Sequence, residues 1–216
     1  ERLFCREREH EANIMGTDLM GYGGNAAMAG LLLRDARLLR LAARFALSLA
    51  ACERWDDFIC FFPGGTFDQR CFTSSGTTFQ CAVILDWAWD LFTPLGREFV
   101  RQAIAKKGLA DITLNTWRCE YIFQCNQLAW FSMGRMAGSL LLERSWPRVK
   151  ADTEQAYRDL RESLPHLVLP DGGFVEGPTY FTTIGRHAGI ALYLYAKARG
   201  KSFAQVMPRE LRRTAG

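Results

Sequence analysis

The run Asp35-Ala36-Arg37-Leu38-Leu39-Arg40-Leu41-Ala42-Ala43-Arg44-Phe45-Ala46-Leu47-Ser48-Leu49 carries the fold class in its spacing. Leu38, Leu41, Ala42, Phe45 and Leu49 recur at intervals of three and four, while Arg37, Arg40 and Arg44 occupy another face. That period belongs to a half-buried α-helix, and Asp35 stands where a side-chain oxygen would cap its first free N–H groups.

Working outward, Ala26 to Leu33 reads as a shorter apolar helix joined to this one through Arg34-Asp35, a tight helical hairpin. Residues 53 to 74 break the pattern. Pro63-Gly64-Gly65 is a turn signal there, and Phe58, Phe61, Phe62, Phe67 and Phe72 follow no clean period, which predicts an irregular loop packed by its aromatics. A helix from about Thr77 to Phe92 stops before Pro94, and another from about Leu95 to Ala110 carries Phe99, Ala103 and Leu109. The third pair spans Tyr121 to Glu143 and Arg148 to Leu164, with Val149, Ala156, Tyr157, Leu160 and Leu164 opposite Glu154, Arg158 and Glu162. After the turn Leu169-Pro170-Asp171-Gly172-Gly173 comes a helix from about Thr179 to Arg199, with Pro178 near its first turn and Gly200 just beyond its last. Phe203 to Arg213 begins a further helix. No alternating strand pattern intervenes, so the expected architecture is all-α, built of paired helical hairpins in a single domain over residues 1–216.

With 49% apolar and 23% charged residues, the chain has the composition of a globular protein with an adequate core. Arg37, Arg40 and Arg44 interrupt the richest apolar run, so no membrane partner is expected. The first residues show no targeting pattern. Seven cysteines, an odd number without a Cys-x-x-Cys pair, read as reduced and mostly buried thiols. His10, His166 and His187 are too scattered to complete a metal site. No phosphate-cradling Gly loop or nucleic-acid motif is present, so neither a metal, a cofactor nor a nucleic-acid partner is expected. A net charge of +4 permits an anionic ligand without identifying one.

Two stretches could carry chemistry. In Asp171-Gly172-Gly173-Phe174-Val175-Glu176-Gly177-Pro178-Thr179-Tyr180 a turn delivers an acid and a phenol to the mouth of a helix, with Gly177 expected to be extended before Pro178. The same pattern would equally suit a helix entry with a core tyrosine. In Gln124-Cys125-Asn126-Gln127, Asn126 falls on the helical stripe 126, 130, 133, 137, so its amide faces the packed side and needs either a neighbouring helix end or a ligand.

Asp171-Gly172-Gly173-x-x-Glu176-Gly177-Pro178-x-Tyr180, the upstream Asn126-Gln127 helix and the Trp-rich Asp86-Trp87-Ala88-Trp89-Asp90 together resemble the heparinase II/III-like polysaccharide lyases. The resemblance implies an incomplete (α/α) toroid followed by a β-sandwich, and β-elimination on a uronic-acid-containing acidic polysaccharide. It matches Tyr180 to the catalytic tyrosine, acting as base, acid or both, and Asn126 to the residue that neutralises the uronate carboxylate. Removing the proton beside that carboxylate builds charge on it, so a donor there must tighten as the transition state forms. Glu176 is expected to hydrogen-bond the turn or a neighbouring helix and orient the site. Around this catalytic set, Gln127, Trp130, Trp87, Arg186 and His187 are the candidate substrate-binding residues.

Trp89 and Trp117 could also stack on sugars, and Arg70, Arg118 and Arg135 could grip uronate or sulfate groups, although core tryptophans and solvated arginines account for the same residues. His187 follows Tyr180 by two helical turns and either assists the site or is a satisfied core histidine. The chain departs from the family at Thr183, where another aromatic is common. The family's further histidine belongs to a segment beyond Gly216, so the chain is expected to be a fragment of a longer one. A uronate C5-epimerase of the dermatan sulfate epimerase type and a non-catalytic carbohydrate-binding helical module are the alternatives. The resemblance implies a periplasmic or secreted protein, while unpaired cysteines are compatible with the cytoplasm.

Overall fold

The computed structural model describes residues 21–53, 55 and 71–211. The predicted Pro63-Gly64-Gly65 loop, Arg70, Cys5, Cys60, His10 and the end of the last predicted helix lie outside the described residues. The described chain is helical, with helices packed on one another, and contains no strand; one isolated bridge joins Val168 and Phe174. The chain divides into two compact units between Asn115 and Thr116.

Among the described residues of the first unit, α1 (Tyr22–Leu32) is followed by α2 (Ala36–Ala51). Their junction closes by local hydrogen bonding: Arg34 adopts φ 54°, and the Asp35 N–H reaches back to the Gly30 carbonyl at 2.8 Å. A Cβ at Gly30 would stand 2.9 Å from the Leu39 nitrogen, so the hairpin closes only around glycine. Asp35 Oδ1 accepts from the Arg37 N–H at 2.7 Å, the expected cap. The buried face of α2 differs from the predicted one. Leu41 is exposed, and Ala42, Ala43, Ala46 and Ala50 occupy the centre. α2 is packed against both α1 and α3 (Phe72–Trp87), and small side chains allow that approach.

α3 starts five residues before the predicted Thr77 because its first turns bury hydroxyls rather than hydrocarbon. Ser74, Ser75, Thr77 and Thr78 are all buried, and Ser74 Oγ donates to the Trp55 carbonyl at 2.9 Å and also contacts Asp111. A short 3₁₀ turn follows, then α4 (Pro94–Ala103), with Thr93 Oγ1 accepting from the Gly96 N–H at 3.1 Å. Helix continues past the predicted stop at Ala110, through a π-helical turn at Ile104–Leu109 and α5 (Ala110–Arg118). The π turn sends Lys107 onto the end of α2, where Nζ donates to the carbonyls of Ala50 at 2.8 Å and Cys52 at 2.5 Å. Gly108 meets Thr78 with no room for a side chain.

In the second unit, a 3₁₀ turn over Glu120–Gln124 precedes α6 (Gln127–Glu143). α7 (Lys150–Ser163), α8 (Pro178–Ala198) and the one-turn α9 (Phe203–Val206) follow. The predicted stripe of α7 is buried in full: Val149, Ala156, Tyr157, Leu160 and Leu164. Cross-links fix the helix directions. Arg135 with Asp159 and Glu143 with Thr153 run α7 antiparallel to α6. Asn126 with Glu176 at one end and Glu143 with Arg199 at the other run α6 and α8 side by side in the same direction.

The far end is held by Arg199, bonded to both carboxylate oxygens of Glu143 at 2.9 Å and to Glu154 at 2.8 Å. Tyr195 donates to Glu154 at 2.6 Å. Gly200, at φ 62°, ends α8 as predicted, with the Lys201 N–H on the Ala196 carbonyl at 2.9 Å. α9 stops after one turn because Met207 precedes Pro208, which favours the extended backbone seen there, φ −70° and ψ 130°.

Candidate functional site

The turn before α8 is built from its own backbone. The Leu169 N–H bonds to the Gly173 carbonyl at 2.8 Å, and the Val175 N–H bonds to Leu167 at 3.0 Å. Gly172 sits at φ 86°, and Asp171 Oδ1 accepts from the Gly173 N–H at 2.9 Å. Asp171 is thereby used within the turn. Gly177 has φ 88° and ψ 174°; its ψ is extended as expected before proline, but its φ is one that only glycine adopts readily. The residue immediately before it, Glu176, is turned toward α6.

There Glu176 holds Asn126 twice. Oε2 accepts from the Asn126 main-chain N–H at 2.6 Å, and Oε1 accepts from Nδ2 at 2.9 Å. Asn126 heads the stripe predicted for it, with helical backbone at φ −59° and ψ −20° and its carbonyl accepting from the Trp130 N–H at 3.5 Å, and its amide meets the residue that precedes a neighbouring helix. The α-helix predicted from Tyr121 starts only here: Cys125 is extended, at φ −145° and ψ 171°, and Asn126 stands at the N-cap position of α6 with no capping bond from its own side chain. Its N–H is one of the donors a helix start leaves unpaired, and a carboxylate placed there also suits the positive end of the helix dipole. Of the partners expected for Glu176, the turn or a neighbouring helix, the structure shows the helix, through a carboxylate clasp on residue 126.

Beside the clasp, Gln127 Oε1 accepts a long bond from Tyr121 at 3.4 Å. One turn further along α6, Trp130 stacks on His187, with ring centroids 4.1 Å apart. His187 is 4% exposed, and its Nδ1 lies 2.7 Å from the Thr183 carbonyl. Since a carbonyl only accepts, Nδ1 carries the proton and the neutral ring has Nε2 as its unprotonated nitrogen. Burial pushes the His187 pKa down from 6.5; the Thr183 bond opposes this and the Arg186 charge adds to it.

Tyr180, in the first turn of α8 and four residues after Glu176, is 47% exposed, and its hydroxyl forms no hydrogen bond to a described residue. His187 lies about 10 Å further along the helix, beneath Trp130, so it does not sit beside the phenol. Arg186 is exposed on α8.

The remaining predicted residues divide clearly. Arg135 is not available to a ligand: it is buried and paired with Asp159 at 2.5 Å, and Gln155 donates to the other carboxylate oxygen at 2.8 Å. Trp117 and Arg118 are exposed. Trp87 is the last residue of α3 in the first unit and is half-buried, and Trp89 carries the Arg97 guanidinium 4.5 Å over its ring. Sequence reasoning missed the Arg199 cluster, whose only signal was charge near the end of a helix. Burial alone would push Glu143 and Glu154 up, but bonds from Arg199, together with Thr153 and Tyr195, bring both below the usual carboxylate range. Among the described residues no group of His, Cys, Asp and Glu is placed to hold a metal ion, and no helix is long and apolar enough to cross a membrane. No protein-family model and no curated protein matches the chain.

Proposed function

We propose that the chain carries part of the active site of a polysaccharide lyase acting by β-elimination on a uronic-acid-containing polymer. Asn126 neutralises the uronate carboxylate, and Tyr180 exchanges the proton at C5 or at the departing glycosidic oxygen. The observation that supports this most is the clasp of Glu176 on Asn126, which ties an amide on one helix to the mouth of another helix carrying an exposed phenol that bonds to no described residue. An abstracting group must reach substrate, and such a phenol meets that need. Two N–H donors engage the Glu176 carboxylate, which reduces the repulsion an incoming uronate would feel. The heparinase II/III-like resemblance supplies the chemistry; the clasp supplies an arrangement compatible with it.

The test is incubation of the protein with hyaluronan, heparan sulfate and alginate, following the ultraviolet absorbance of an unsaturated uronate. Turnover that disappears in Tyr180→Phe supports the assignment. Turnover at the wild-type rate in that variant refutes the role of the phenol. Deuterium uptake at C5 without chain cleavage replaces the lyase with the epimerase reading.

A further inference from the structure

The geometry points to a specific task for Glu176: it sets the polarity of the Asn126 amide, choosing which of its ends is left for a ligand. The bonding capacity of the two groups decides this. An ionised carboxylate has no proton to give, so whatever faces it must donate. Oε2 is occupied by the Asn126 main-chain N–H and Oε1 by Nδ2, so the side-chain amide is held with its nitrogen toward Glu176 and Oδ1 directed elsewhere. One Nδ2 hydrogen is consumed. The amide therefore offers a ligand one N–H and one carbonyl oxygen.

A neutral amide at position 176 gives a different result. In Glu176→Gln the introduced carbonyl could accept the Asn126 main-chain N–H, but the introduced NH2 group would then face Nδ2, donor against donor. Rotation of the Asn126 amide by half a turn relieves this, placing Oδ1 on that NH2 group and leaving both Nδ2 hydrogens unengaged. Glu176→Gln keeps two hydrogen bonds between the positions and reverses the amide. Glu176 is in this sense a positioning residue, acting through Asn126.

The combination Asn126→Asp with Glu176→Gln separates this from a purely structural clasp. In that pair the main-chain N–H of position 126 still donates to the introduced glutamine carbonyl, and the glutamine NH2 donates to the introduced carboxylate. Every bond of the clasp is kept and the negative charge moves across it, but position 126 no longer has a side-chain donor. The polarity assignment stands on the clasp alone. Its consequence for ligand binding rests on the proposed lyase reading, in which the remaining N–H of Asn126 meets a uronate carboxylate.

The experiment reads the two separately. In ¹⁵N-labelled protein, the wild type shows one Asn126 side-chain amide proton shifted downfield and protected from solvent exchange. In Glu176→Gln that protection passes to the NH2 group of the introduced glutamine. An Asn126 amide proton that remains protected in Glu176→Gln overturns the assignment, as does a wild type in which neither is protected. If Glu176→Gln alone does not fold, the double variant, which keeps both bonds, serves for the same measurement, with a protected side-chain amide at position 176 expected and an unprotected one overturning it. Binding is then measured with a hyaluronan hexasaccharide. The double variant is expected to match the wild type in its urea midpoint and to bind at least about tenfold more weakly, the cost of one lost bond to a charged group. Unchanged binding beside the expected amide pattern refutes the role of Asn126 in the lyase reading and leaves the polarity assignment standing.

Discussion

Replacing Arg135 by methionine is expected to cost the second unit a large part of its stability, and the size follows from where the charge sits. Arg135 and Asp159 have side chains 4% and 7% exposed, and their N–O separation is 2.5 Å. Methionine retains much of the arginine stem's volume, so the perturbation is electrostatic rather than a cavity. It leaves the Asp159 carboxylate buried with Gln155 as its remaining side-chain donor. Stranding one member of a buried pair typically costs about 3–5 kcal/mol, against a total of about 5–15 kcal/mol for a domain. With a urea slope of about 2 kcal/mol per molar, the midpoint should fall by about 2 M.

Removing both charges should have the opposite effect. Arg135 Nε is itself buried without a hydrogen-bond partner among the described residues, so the pair is imperfectly satisfied. Arg135→Met with Asp159→Leu should return to within about 1 kcal/mol of the wild type or exceed it. Far-ultraviolet circular dichroism in urea, with the four proteins of the cycle, measures both. A single variant that loses less than about 1 kcal/mol, or a double variant as unstable as the single one, would refute the reasoning.

Glu143 and Glu154 are held below the ordinary carboxylate value of 4.5 by Arg199, so the stability they contribute is present above that value and is lost as pH falls through their folded values. Glu143→Gln should flatten the acid limb of a thermal-stability profile below about pH 4.5; an unchanged limb would contradict the assignment. Tyr195, raised to about 12 by burial and by its bond to Glu154, should give a step near that pH in a spectrophotometric titration, and Tyr195→Phe should remove it. His187, pushed below 6.5 by burial, favours folding when neutral; its contribution is complete above that value and declines as pH falls from there through the folded value, and an NMR titration of its ring protons reads the midpoint. A Cβ at Gly108 would overlap Thr78 Oγ1, so Gly108→Ala should cost about 1–3 kcal/mol in thermal unfolding, and Thr78→Ala added to it should recover part of the loss.

How far the sequence could be read depended on the range of the interaction concerned. The apolar stripe of α7 was legible because its residues share one face and that whole face is buried. The stripe of α2 was legible as helix but not as burial: periodicity gives a face, whereas the closeness of neighbouring helices decides that alanines rather than Leu41 lie at its centre. The start of α3 was hidden because its buried side chains are hydroxyls, satisfied in part by Trp55 and Asp111 far away in the chain. Arg135 looked like a ligand-binding arginine because nothing in its neighbourhood announces Asp159. Asn126 and Glu176 were identifiable as polar residues in unusual settings, but their distance apart in sequence concealed that each is the other's partner.

The sequence by itself determined that the chain is helical and where several helices begin or end, because those signals act within a few residues: Asp35 on the Arg37 N–H, Pro178 in the first turn of α8, Gly200 at its end. A helix bonds each N–H to a carbonyl four residues away, so its limits are local chemistry. Only the tertiary structure decided which polar groups meet. Glu176 on Asn126, Asp159 on Arg135 and Arg199 between Glu143 and Glu154 each join elements brought together by helix packing. A hydrogen bond forms or fails within about half an ångström, a tolerance that spacing along the chain does not specify.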